Sequence, residues 1–598
     1  MLKKTFLIAT ISLIVLNLSG KNVDSTSNHP VRSELTREYI NAERIVWTQG
    51  DVSNAEALLL KNYGQATFGP AGKCRMMSTA DSQASILFDF GKEFHGGVQF
   101  VMAEYAGGKP AKVRIRFGES VTEAMSDISP ETGATNDHAI RDFEALLPWF
   151  GLREFGNSGF RFLRIDLLDI DKPFEIKEVH GIKVFRDIPR EGSFVSDNER
   201  LNRIWETGAY TVHQNMQTYI WDGIKRDRLV WIGDMHPEVM TVKSVFGYQN
   251  VVNNSLDLAR DCAPLPQMMN GMSAYSLWWL RIHKAWYLHQ GDMDYLMSQR
   301  DYMLGLVDVL ISHILPSGRD DFDRHFLDWP SCGDLTASAA GFHALFIMAM
   351  EDAAFMLGEM GENAAAERCT QAATRLRDAA PAVARDFFAE GKPADAIGRK
   401  QAVALMYLAD IIPAKKAAAA LLTGGAKGFS TFYGYYMLEA LAKCGHYDEA
   451  MDIISAFWGG MLDLGATTFW EDFDIAWLDN AARIDEIVPE GKVDVHLTYG
   501  GYCYKQLRHS LAHGWASGPT NWLTTHVTGL YPASVGCKVV RLEPHMGSLN
   551  TIEGSLPTPY GPVKVRLEKL AKGKVAAKIS APAQVKIDAA DYVVCSSF

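Results

Sequence analysis

The chain has 598 residues, 47% hydrophobic and 22% charged, a globular composition with more chain than one ordinary core absorbs. Its formal net charge of −12 and the lack of any dense Lys/Arg run argue against a nucleic-acid partner and favour a neutral, sugar-like ligand. The 8 cysteines are scattered, without CxxC or His/Cys metal spacing, so no metal or cofactor is expected, and most should be buried thiols.

In chain order, "MLKKTFLIATISLIVLNLSGK" sets Lys3 and Lys4 before an apolar run and then small residues, the layout of a signal peptide over 1–20. Export, to a periplasm, is the expectation; an uncleaved N-terminal anchor is the alternative and the only membrane association foreseen. Residues 21–35 are polar and read as a flexible leader. From 36 to 190, runs such as "SILFDFG", "KVRIRFGES" and "FRFLRIDLLD" alternate with turn residues and predict an N-terminal antiparallel β-sandwich. The period then changes: Asp197 is a candidate cap for a helix burying Leu201, Ile204 and Trp205, and helical runs continue to 535. Pairs such as 340–359 and 362–388 read as antiparallel hairpins, and hairpins closed into a ring make an (α/α)6 toroid. No stretch beyond residue 20 reads as a membrane span. Alternation returns in "CKVVRLEPH" and "GPVKVRLEKL", a small β-domain over 536–598.

Chemistry is expected where carboxylates meet indoles in loops of the helical domain. "WDGIKRDRLVWIGDMHPE" supplies Asp222, Arg226, Asp227, Trp231, Asp234 and Glu238, with Gly233 and Pro237 arguing against a continuous helix. "HFLDWPSCGD" adds Asp328 and Trp329, "GATTFWEDFD" adds Trp470, Glu471 and Asp472, and "SLAHGWASGPTNW" adds His513 and Trp515. Indoles stack on sugar C–H faces and carboxylates bind hydroxyls, so this is a carbohydrate-site composition, and paired Asp/Glu can also hydrolyse glycosides. Singly, each has a bland reading: Arg226 as a buried ion pair, Trp470 as core, His513 as a cap. Together they point to a site, because one core rarely collects so many ionisable groups without function.

"DGIKRDRLVWIGD" resembles the signature of glycoside hydrolase family 78, the α-L-rhamnosidases, and "FLDWPSCGD", "GATTFWEDF" and "SLAHGWASGPTNWL" are similar to further motifs of that family in the same order. The resemblance spans roughly 84–560 and implies a β-sandwich, an (α/α)6 barrel and a C-terminal β-domain. Gly223 and Ile224 stand where the family has Cys-Pro, and Asp227 where it has its acid Glu, which marks a divergent branch. The resemblance implies an exo-acting, inverting hydrolase releasing terminal α-L-rhamnose or a close stereoisomer from glycans or glycosides. Asp227 is then the general acid and Glu471 the base, ranked above Asp472 and Glu238. Asp222, Arg226, Trp231, Asp234, Asp328, Trp329, Trp470 and His513 would hold the sugar. Two other classes stay open: a toroid polysaccharide lyase with Tyr502, His509 or His513 as base, and a non-catalytic carbohydrate-binding protein.

Overall fold

The protein was analysed as a computed structural model that describes residues 33–61, 64–68, 72–102, 109–389, 391–502 and 504–598. The expected signal peptide, and the leader up to residue 32, lie outside the described residues; Leu35 already opens a strand, Leu35–Asn41, paired with Phe174–Arg186. Among the described residues, nine strands between Leu35 and Arg186 join one antiparallel sheet. Its longest pair, Ser85–Met102 against Gly151–Leu167, shifts register between Asp89 and Phe94 and again between Gly96 and Gly97. Such irregularities bend strands. Ile86, Phe88, Phe100, Phe160 and Ile165 fill the main core of the sheet. Leu87 and Phe162 face the other way and are covered by Val121 and Ala124 of the short helix α1 (Val121–Met125). Ser85–Met102 is thus buried on both faces.

Among the described residues, fourteen α-helices follow: α2 (Glu199–Asn215), α3 (Ile232–Val245), α4 (Asn250–Asp261), α5 (Ser273–Gln290), α6 (Met293–Ser298), α7 (Arg300–Ser312), α8 (Leu335–Glu359), α9 (Asn363–Ala389), α10 (Lys400–Leu408), α11 (Ala414–Leu422), α12 (Gly434–Lys443), α13 (Tyr447–Asp463), α14 (Val495–Thr498) and α15 (Gly518–Trp522). Helices α3, α5, α8, α10, α12 and α15 pack each on the next, and α15 returns to α3, which closes the ring. Helices α4, α7, α9, α11, α13 and α2 each lean on one of these six, completing the (α/α)6 toroid. Strands Thr551–Leu556, Val563–Lys569, Val575–Ser580 and Val593–Ser597 form the C-terminal sheet. Ser193–Ser196, from just before α2, pairs with Thr551–Leu556 at its edge.

Three local expectations are corrected. Asn198, not Asp197, caps α2, its side chain accepting from the N–H groups of Arg200 and Leu201, while Asp197 accepts from the Asn550 N–H and Nδ2. Gly233 and Pro237 do lie within a helix, α3: the N–H that proline lacks would have reached Gly233 at the first turn, and Gly233 itself lies flat against the Tyr275 ring. Helix α8 is long and apolar enough to cross a membrane, and it is buried as an inner helix of the ring, which explains its apolar character. Among the described cysteines no disulfide forms; Cys74, Cys369 and Cys537 are buried thiols.

The sandwich meets the ring through close backbone approach and buried ion pairs. Arg161, held within the sheet by Asp89 with Nε at 2.7 Å and Nη2 at 2.9 Å, crosses to Asp485 at 3.3 Å and donates to the Gly465 carbonyl at 3.0 Å. At Gly159 a Cβ would stand 2.6 Å from Ile224 Cγ1 and 2.8 Å from the Ile224 carbonyl carbon and the Lys225 nitrogen. Gly159→Ala is therefore expected to lower stability by about 1–3 kcal/mol, as overpacking does; an unchanged urea midpoint would show that the junction yields freely.

Candidate active site

The site is built on the segment between α2 and α3. Asp222 closes it into a loop: its N–H donates to the Leu229 carbonyl at 3.0 Å, and its Oδ1 accepts from the Leu229 N–H at 2.9 Å. Within the loop Asp227 and Arg228 both adopt left-handed backbone, each at φ 55°. Left-handed conformations cost non-glycine residues roughly 1–2 kcal/mol each, and such strain persists only where the surroundings impose it. Here the sandwich imposes it. The Asp227 N–H donates to His138 Nδ1 at 3.1 Å, and the Arg228 guanidinium donates to the His138 carbonyl and, at 3.2 Å, to that of Asn157.

Arg226 carries the central contact. Nη2 donates to Glu471 Oε1 and Nη1 to Asp227 Oδ1 at 3.3 Å, so one guanidinium spans the two carboxylates. Glu471 Oε2 accepts from the Ser510 N–H at 3.1 Å, and His513 Nδ1 stands 3.9 Å from Oε1. Burial raises the pKa of Glu471 against the opposing charge of Arg226. Asp227 is the more exposed partner, with Oδ2 accepting from Trp231 Nε1 at 3.3 Å.

These groups open on a cavity of about 300 Å³ lined by Asp222, Arg226, Asp227, Trp231, Asp234, Trp329, Glu471 and His513, all named from the sequence. Asp328 and Trp470 do not line it. Asp328 is buried, accepting from Ser430 Oγ at 2.5 Å and from the Trp329 N–H at 2.8 Å, so it orients Trp329 from behind. Trp470 is core, edge-on to Phe473 and His509. The rival bases are also outside the lining. Asp472 accepts from the Gly501 N–H at 3.2 Å, and Glu238 sits beside Asn215 and Gly514. The sequence reading missed Asn270, Tyr275, Arg324, Phe326 and Tyr504 in the lining, and His138 beside Asp227. Phe326 adjoins the Asp328 motif and could have been found; His138 lies in a β-domain loop with no motif, and only the fold brings it near.

Burial also sets the charge state. It raises Asp222 well above the usual carboxylate range, with Asp234 and Asp227 adding to the effect, and raises Asp234 to about 8. It lowers His513 to about 4, and His513 Nε2 lies 3.1 Å from Asp234 Oδ2, so at neutral pH Asp234 keeps its proton beside a neutral imidazole.

Two predictions follow from this geometry. Trp470→Ala should cost about 3–5 kcal/mol of stability as a buried indole, whereas Trp231→Ala, at the half-buried cavity wall, should mainly weaken ligand binding; calorimetric unfolding and titration on both variants separate the two outcomes. For Asp234, a raised folded pKa gives stability that is full below the unfolded value and lost as pH rises toward about 8. Below about pH 6.5, the ordinary histidine value, the lowered His513 acts in the opposite sense. The net loss should therefore fall between roughly pH 6.5 and 8, on the order of 1–2 kcal/mol, and the stability difference between wild type and Asp234→Asn should shrink or reverse across that window; a pH-independent difference would contradict the assignment.

The family described as the bacterial α-L-rhamnosidase six-hairpin glycosidase domain matches residues 189–527. An α-L-rhamnosidase of Formosa agariphila is 23% identical over 491 residues, 75% of this chain and 49% of that protein. One of Streptomyces avermitilis is 26% identical over 526 residues, 82% of this chain and 47% of that protein. The chain spans about half the length of these curated relatives. Among solved structures, a family 78 rhamnosidase of Bacillus sp. GL1 superposes with a TM-score of 0.71 at 19% identity, covering 91% of this chain and 56% of that one.

Proposed function

The chain belongs to the bacterial α-L-rhamnosidases of glycoside hydrolase family 78 through their six-hairpin glycosidase domain, and from that premise we propose that it is an exo-acting, inverting hydrolase of terminal α-L-rhamnosides or close stereoisomers. The observation that carries this is the pair Asp227 and Glu471, held on the two arms of Arg226 in a cavity walled by Trp231 and Trp329. A volume of about 300 Å³ suits a single sugar ring, which supports the exo mode.

In the proposed reaction Asp227, on the more open side, gives its proton to the glycosidic oxygen as the bond to the anomeric carbon breaks. Glu471 takes a proton from the water that attacks the opposite ring face. Arg226 and the Ser510 N–H orient the Glu471 carboxylate and leave lone pairs for that water. Burial raises the basicity of Glu471, which suits a base. Asp234, with its pKa raised to about 8, can donate to a sugar hydroxyl as well as accept from one, and burial raises Asp222 in the same direction. Trp231 and Trp329 offer indole surface to the ring. Relative to a glutamate, Asp227 lacks one methylene, and it sits in left-handed backbone at φ 55°. The lyase alternative gains little: of its three candidate bases Tyr502 and His509 do not line the cavity, His509 accepting from the Asp472 N–H at 2.8 Å, and His513, which does line it, has Nε2 3.1 Å from Asp234 Oδ2 and a pKa lowered by burial to about 4.

Asp227→Asn should spare aryl glycosides with good leaving groups and slow those with poor ones by about 10²–10⁴-fold. Glu471→Gln should slow both classes. The first sugar released should carry the inverted anomeric configuration by NMR before mutarotation; retention would require a nucleophile and exclude the water mechanism.

A further inference from the structure

A second cavity, of about 560 Å³, adjoins the acid side of the site and is lined by residues of the N-terminal sheet together with Arg228. It begins at the two residues that hold Asp227. His138 accepts from the Asp227 N–H, with its Nδ1 3.4 Å from Asp227 Oδ1, and the guanidinium of Arg228 donates to the His138 carbonyl. Both residues line the cavity. One wall is apolar: Phe143 and Phe155 stand with ring centroids 5.7 Å apart and only part of their surface buried, and Ile140 is 59% exposed. The rim is polar, carrying Asn136, Asp137 and Asn157. Arg508 anchors the rim loop to Asp137 at 2.6 Å, so the loop is braced from the helical domain.

We propose that this cavity is the subsite for the leaving group, made by the β-sandwich and not by the ring. The proposal rests on the hydrolase function above. A general acid delivers its proton to the leaving-group oxygen, so whatever is attached there must lie on the acid's side of the sugar. His138, in contact with Asp227, and Arg228, next to it in the chain, both belong to the lining that carries the apolar wall. Paired phenylalanines accept a flat apolar face, and the Asn, Asp and Arg groups at the rim accept hydroxyls around it. The ligand chemistry is therefore a flat apolar face edged by hydroxyls, which a phenolic ring or the C–H face of a second sugar supplies.

The test uses the full chain and three 1-thio-α-L-rhamnosides that resist hydrolysis: methyl, phenyl, and one thio-linked to a second sugar, with binding read by titration calorimetry. The phenyl or the disaccharide ligand should bind about tenfold more tightly than the methyl one, the scale of one aromatic contact, and whichever of the two is tighter identifies the source of the apolar face. Phe143→Ala, on an edge strand, and Ile140→Asn, at an exposed position, should each bring that ratio toward one. Equal affinities for all three ligands in the wild type, or a ratio unmoved by both substitutions, would overturn the subsite while leaving the hydrolase function standing. Binding of none of them, nor of L-rhamnose, would remove the hydrolase function, and the subsite with it.

Discussion

The ammonium of Lys225 is the interaction on which the rest of the site hangs. It lies buried, 2.8 Å from Glu119 and 3.3 Å from Glu123 of the sandwich, and donates to the carbonyls of Leu507 at 3.1 Å and His509 at 2.8 Å. Burial works against its charge, but Glu119 and Glu123 more than offset this and leave its pKa above the usual lysine value. Three segments distant in sequence thus meet at one atom. Removing one partner of such a buried pair typically costs about 3–5 kcal/mol, because a charge is left uncompensated. The next residue is Arg226, and Ser510, one residue past the His509 carbonyl, donates to Glu471. The supports of both candidate catalytic carboxylates therefore start from Lys225.

This anchorage makes the strained loop tolerable. Consecutive left-handed residues at Asp227 and Arg228 would relax in an isolated loop, but Lys225 fixes one end and the Asp222–Leu229 bonds fix the other. His138 and Asn157 then take up the donors that the turn presents. The sandwich is consequently part of the site's framework, which explains why its glycine at 159 must lie flat against Ile224.

Electrostatics follow from the same burial. Asp222, Asp234, Glu238 and Glu471 crowd one side of the toroid, and removal from water raises the pKa of each. Of these, Asp234, raised to about 8, keeps its proton at neutral pH and so presents both a hydrogen-bond donor and an acceptor to the cavity, which suits a polyol hydroxyl. Arg226 is the charged group placed between the candidate acid and base, and its contacts to both keep it compensated.

The sequence by itself determined the order of β, helical and β segments, because hydrophobic period is a local property: it changes near residue 197 and again near 536, where side chains begin and cease to face a common core every three or four residues. It also determined most of the cavity lining, since Asp222 to Asp234, Trp329, Glu471 and His513 sit in short stretches that mix charge with indole as no core or solvated face does. Tertiary structure decided the rest. Trp470 and Glu471 are adjacent, yet one turns into the core and the other into the cavity, and only packing against Phe473 and His509 sets that division. Asn198 capped α2 in place of Asp197 because Asn550, more than three hundred residues away, claimed the aspartate. His138, and the leaving-group cavity proposed beside it, come from a loop with no motif. Their meeting with Asp227 depends on where the sheet docks, and docking is fixed by Lys225 and its partners across the fold, a long-range agreement that no local pattern encodes.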